Sequence, residues 1–133
     1  MHFLRVLYYQ SYLFYKKGWT SITKYDDISL TTFYSVSSIF SIPIAVIAIA
    51  ITVLLGLSDI FTIVIGITIA LAVQGIIWCL LYRRGKWKQI VEEKPSLLNN
   101  RKFSAGITIF CHVVSIFIVI SLFFLGHLFN ELN

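Results

Sequence analysis

His112, Gln74 and the adjacent pair Cys111-His112 are the residues best placed to do chemistry within the long apolar stretches of this sequence. An imidazole among hydrocarbon side chains can relay a proton, take a ligand or hydrogen-bond to a neighbouring helix. Ionisable groups inside membrane segments are functional candidates by default, and a neutral His bonded across helices is the structural alternative. A metal site is harder to build, because side chains adjacent in sequence diverge by about 100° on a helix. Glu92 and Glu93 are paired carboxylates, but they stand in a charged segment whose ordinary role is solvation. The apolar stretches around Gln74 and His112 hold no acidic residue, and the chain has no Ser/His/Asp set and no phosphate-binding glycine loop. The expectation is a protein that is not an enzyme and uses no cofactor and no metal.

The elements that carry these residues follow from composition. Of 133 residues, 58% are hydrophobic and 13% charged, where a soluble domain carries about a quarter of its residues as charges. That excludes a water-soluble enzyme, a disordered chain and a disulfide-rich secreted domain. Cys79 and Cys111 lie inside apolar runs and make no disulfide framework. Three stretches, 28–57, 60–82 and 103–128, are long enough to cross a bilayer, which takes about 20 helical residues. Between the first two lies only Gly56-Leu57-Ser58-Asp59, a turn short enough to impose an antiparallel hairpin. The fold class expected is therefore an all-α membrane protein in one domain. It has three transmembrane helices, a cytoplasmic interfacial helix over 1–20 and a basic loop over 83–102. The first stretch exceeds the bilayer thickness, so its Ser/Thr-rich start tilts or emerges through the interface.

All eleven Lys and Arg residues lie before the first span or between the second and third. The positive-inside rule then puts the N-terminus and the 83–102 loop in the cytoplasm, with Asp59 and the C-terminus outside. Lys16, Lys17, Arg83, Arg84, Lys86 and Lys88 are expected to contact anionic headgroups, and no nucleic-acid partner is expected. The start of the chain lacks a small-residue cleavage site and is no signal peptide. Its aromatics (Phe3, Tyr8, Tyr9, Tyr12, Phe14, Tyr15, Trp19) favour an interface. On a helical wheel Arg5, Tyr9 and Lys16 oppose Phe3, Leu7 and Phe14. The reading is an in-plane helix ending near Gly18, with packing against another protein as its rival. Trp87, Ile90 and Val91 mark one face of a short helix stopped by Pro95, and Asn99 or Asn100 caps the third span.

Tyr8-Tyr9, Tyr12, Tyr15, Gly18-Trp19, Asp26-Asp27, the hydrophobic hairpin and the run Tyr82…Lys86-Trp87-Lys88-Gln89-Ile90-Val91-Glu92-Glu93 form a pattern. It resembles a group of small three-span membrane proteins of Bacteroidota. The resemblance covers most of the chain and implies an architecture but no activity; the Ser-rich first span departs from it.

Within the membrane, small residues favour helix–helix contact. Thr31, Ser35, Ser38, Ser41, Ala45, Ala48, Thr52 and Gly56 share one side of the first span, with Ile42 intruding. Thr62, Gly66, Ala70 and Gln74 step by four along the second. A packing seam through Ala45, Ala48, Thr52, Gly66 and Ala70 is the simplest reading, and a hydroxyl-lined water path is the alternative. Pro43 frees the Ile39 carbonyl, which Gln74 is placed to reach. His112, about 13 Å from Phe103, and Gln74, about 12 Å from Tyr82, come out at one depth. With Ser38 and Ser41 they are expected to form an intramembrane polar layer. Two functions compete. One is a non-enzymatic membrane subunit, as a homo-oligomer or beside a larger membrane protein partner. The other is an oligomeric ion-conducting or membrane-perturbing protein with a Ser/Gln/His-lined path.

Overall fold

A computed structural model describes residues 1–18 and 25–132. Trp19 and Lys24 lie outside the described residues, as does the end of the expected 1–20 helix. The described chain is all-α, without strands, in the order α1 (His2–Gly18), α2 (Tyr25–Leu54), α3 (Asp59–Ile77), α4 (Lys86–Glu93) and α5 (Arg101–Leu132). Three helical stretches, containing α2, α3 and α5, are long and apolar enough to cross a membrane, so this is a multi-pass membrane protein.

Local chemistry explains where each helix stops. α2 closes on Gly56, whose φ of 70° is the left-handed conformation that glycine takes most easily. Leu57 N–H donates to the Thr52 carbonyl (3.1 Å) and Gly56 N–H to that of Val53 (3.0 Å), a Schellman closure. α3 opens after Ser58 with Asp59 in its first turn, where a carboxylate complements the helix dipole. At its other end α3 widens into a π-helical turn, Trp78–Tyr82, then tightens into a 3-10 turn, Arg83–Gly85. Arg84 and Gly85 both take positive φ, so the chain leaves the α3 axis there. Lys86 Nζ donates back to the Cys79 carbonyl (3.1 Å) across this bend. α4 turns Ile90 into the core and half-buries Trp87 and Val91. Asn100 is the residue that caps α5, its Oδ1 accepting from Phe103 N–H at 3.1 Å.

The core gathers at one end of the molecule. Leu7, Tyr8, Tyr9 and Tyr12 of α1 meet Ile28, Phe33 and Val36 of α2, Ile77 and Leu81 near the bend, and Ile90 of α4. Leu7 and Tyr9, read from the wheel as facing opposite ways, are both buried, while Phe3 and Phe14 are exposed. α1 thus buries a broad sector against its own protein. It also runs beside the start of α5. His2 Nε2 donates to the Ser96 carbonyl (3.1 Å), Arg5 pairs with Glu93, and Arg101 donates to Tyr9 Oη (3.3 Å). α3 and α5 each pack on α2 rather than on each other.

Candidate functional site

The polar residues of α2 and α5 meet just inside this core. His112 Nδ1 lies 2.8 Å from the Thr108 carbonyl, one turn back on α5, and only an N–H can occupy that position. In the neutral ring Nε2 is then the acceptor, and Ser35 Oγ, 3.1 Å away on α2, donates to it. Thr108 returns its own hydroxyl to the Ser104 carbonyl (2.9 Å). The imidazole is therefore held at both nitrogens and bridges two helices.

α1 closes the third side. A cleft of about 290 Å³ opens between α1 and α5, with Gln10, Ser11, Tyr15, Ser35, Thr108 and His112 as its polar lining and Phe14, Ile109 and Val113 among its apolar walls. Gln10 Nε2 and Ser11 Oγ are withdrawn from solvent and have no hydrogen-bond partner among the described residues. Beyond His112 a second cleft, about 280 Å³, separates α2 from α5 between Ser38, Ile42, Ser115 and Ile120. His112 and Ile116 line both.

The expected polar layer assembles only in part. Ser38 stays near His112, lining the second cleft and donating to the Ser35 carbonyl at 2.8 Å. Ser41 is fully buried, and its hydroxyl has no partner among the described residues. Gln74 does not join His112. Phe33, two residues before Ser35, packs edge-on against Trp78 (5.1 Å between ring centres) and tilted against Tyr82 (5.9 Å). His112 is thus near the level of the π-helical turn, and Gln74 lies at least about 6 Å deeper toward Ser58. Placing both at one depth assumed that α3 and α5 rise to equal height. Instead α5 continues past the bend, alongside α1. Among the described residues Gln74 makes no side-chain hydrogen bond, so the Ile39 carbonyl is not its partner.

The seam between α2 and α3 takes a different form from small against small. Ala45, Thr52 and Gly66 are buried, and Ala48 and Ala70 half-buried. The contact at Gly66, however, is the side chain of Ile49: a Cβ added to Gly66 would lie 2.6 Å from Ile49 Cδ1. A large side chain seated on a glycine closes the gap. Thr52 returns its hydroxyl to the Ile49 carbonyl (2.8 Å).

Sequence reasoning missed the aromatic network above His112. Trp78 and Tyr82 pack at 4.2 Å, and Tyr82 stacks toward Trp87 at 6.3 Å. Tyr8 donates to the Ser29 carbonyl (3.0 Å), and the Ser29 and Tyr82 hydroxyls are 3.4 Å apart. Burial, followed by the neighbouring Tyr82 and Tyr12 phenols, pushes the Tyr8 hydroxyl well above the usual tyrosine range. The only signal was a density of aromatics in three separate segments, which says nothing of how they pair. Of the basic residues, Lys16, Lys17, Arg83, Arg84 and Lys88 are exposed, whereas Lys86 is engaged with the bend. Among the described residues no three His, Cys, Asp or Glu side chains come together. No family model, no curated protein and no solved structure matches the chain.

Proposed function

We propose that the protein is a non-enzymatic integral membrane subunit whose basic end folds as a cap at the cytoplasmic surface of a bacterial inner membrane. The three spans present the rest of their surface for assembly, with further copies of the chain or a larger membrane partner. The observation that carries this reading is the open arrangement of the spans. α3 and α5 flank α2 without closing on each other, so the three helices do not complete a bundle. Only 6% of the apolar window of α5 is buried, against 39% for α2.

Distances favour the level of Ser35, His112 and Trp78 as the membrane boundary. Ser35 to Leu54, Asp59 to Trp78, and His112 to Glu131 each rise about 29 Å along their helices, matching about 30 Å of hydrocarbon. Trp78, Tyr82 and Trp87 then form an aromatic belt. α1, α4 and the first turns of α5 lie in the interface and beyond it, and α2 and α3 descend as an antiparallel hairpin. Basic side chains of α1, the bend, α4 and the start of α5 gather at that end, which fits a cytoplasmic placement. Lys16, Lys17, Arg83, Arg84 and Lys88 reach anionic headgroups from it. A conducting path through Ser35, Ser38, Ser41, Gln74 and His112 has less support, because Gln74 is at another depth and the Ser35 and Ser38 hydroxyls are engaged.

The mass of the particle extracted in mild detergent tests the assembly. A mass of several chains, or of the chain with a second protein, is expected; a single chain under conditions that preserve the fold contradicts it.

A further inference from the structure

We propose that the two clefts along α5 form one binding track for a membrane glycerolipid, with an ester carbonyl at Gln10 and Ser11 and one acyl chain laid along α5. Gln10 and Ser11 are 9% and 4% exposed, and their Nε2 and Oγ lack partners among the described residues. Buried donors without acceptors are rare in folded proteins; both residues line the first cleft, and a side-chain rotation toward it brings their donors to a lipid oxygen arriving from the membrane side. Ser35 and both nitrogens of His112 are already engaged with each other or with Thr108, so the donors left for a ligand are those of α1. Among the described residues neither cleft is lined by Lys, Arg, Asp or Glu. A phosphate or carboxylate inside would be unpaired, so the buried part of the ligand is uncharged.

The shape identifies the rest. The first cleft has Phe14, Ile109 and Val113 as walls, and the second has Ile42, Val119 and Ile120; His112 and Ile116 join them. From His112, at the proposed boundary, to Ile120 the helix rises about 12 Å, most of the half-thickness of a roughly 30 Å hydrocarbon layer. That length within one leaflet suits an extended chain better than a compact ring. The track begins at the level of Ser35 and His112, where ester carbonyls lie if the boundary proposed above is correct. Lys16 and Lys17, exposed at the end of α1, are available to an anionic headgroup outside the cleft.

The test is native mass spectrometry of protein delipidated in detergent, reconstituted into vesicles of phosphatidylethanolamine and phosphatidylglycerol, and extracted again. Wild-type protein is expected to carry phospholipid through extraction. Ile116→Trp, which fills the track from an exposed position, is expected to lose it with an unchanged melting temperature. Gln10→Leu combined with Ser11→Ala is expected to lose it too, with a melting temperature equal or higher, since two unpaired polar groups are removed. Equal retention by wild type and both variants overturns the proposal. So does retention of a quinone in place of phospholipid when one is added to the vesicles, or a disulfide between two copies of an Ile116→Cys variant, in a Cys79→Ala, Cys111→Ala background, without lipid. The same spectra report chain number. A lipid-bearing single chain whose lipid is lost in the variants upholds the track while contradicting assembly, and an oligomer with unaltered lipid does the reverse.

Discussion

At the basic end of the molecule, four helices and a bend share one core, and Tyr8, Leu81 and Ile90 are almost wholly enclosed. Toward Leu54, Asp59 and Leu132, by contrast, α2 and α3 meet along a seam while α5 stands largely exposed. The difference reflects two solvents. Where a chain meets water or the headgroup layer, apolar side chains gain by hiding from it. In hydrocarbon an exposed Ile or Phe carries no such cost, so an open span is stable facing lipid or a further chain, and close packing and hydrogen bonds must supply what cohesion there is. The polar wiring follows the same division: Arg5 to Glu93, Arg101 to Tyr9, Tyr8 to Ser29 and Ser35 to His112 all lie at or above the proposed boundary.

This contrast is most exposed to test at its extremes. Leu81→Ala removes a fully buried side chain from the shared core and should cost about 2–5 kcal/mol, whereas Phe123→Ala, on the exposed part of α5, should leave stability nearly unchanged. Denaturation of both variants in the same detergent would erase the distinction if the costs were equal. Next in size is the seam. Gly66→Leu drives new atoms into Ile49 and should cost about 1–3 kcal/mol; Ala50→Leu, which adds bulk on α2 outside the small-residue stripe, is the control. Equal losses would remove Gly66 from its assigned role.

Tyr8→Phe makes the smallest change, deleting the bond to the Ser29 carbonyl for about 1 kcal/mol. Its pH dependence sharpens the picture. The folded state holds the Tyr8 proton more tightly than the unfolded chain does. The corresponding stability is therefore fully present below about pH 10, the ordinary tyrosine value, and is lost as pH rises from there toward the raised folded value. Wild-type protein should lose stability in alkali more steeply than Tyr8→Phe. Parallel curves would show that the Tyr8 phenol is not held in this way.

Much of this architecture could be read from the chain. Three long apolar runs leave little choice but three helices suited to a membrane, and Trp87, Ile90 and Val91 identify the inward face of α4 by spacing alone. The packing of α1 was harder, because Tyr and Phe suit a headgroup layer and a protein core equally well. The level of His112 depended on where α5 begins relative to its neighbours, which hydropathy does not report. Helical spacing put Gly66 on a seam, but it could not select Ile49 as the side chain seated there, since that depends on the rotation of α2 against α3. Gln10 and Ser11 became noticeable only once α1 was seen to pack beside α5.

The depth of α5 in the bilayer tests the central claim directly, that the packed end sits at the membrane boundary and the exposed part lies in lipid. Nitroxides placed one at a time from 103 to 128, in a Cys79→Ala, Cys111→Ala background and in lipid vesicles, report depth through their relaxation by water-soluble and lipid-soluble agents. A crossing near His112 is expected, with labels on the exposed face before it reached by the water-soluble agent and labels beyond Val113 reached only from the lipid. A crossing at Arg101 and Lys102, with Phe103 to Phe110 as deep in hydrocarbon as Ile116 to Phe124, would contradict it.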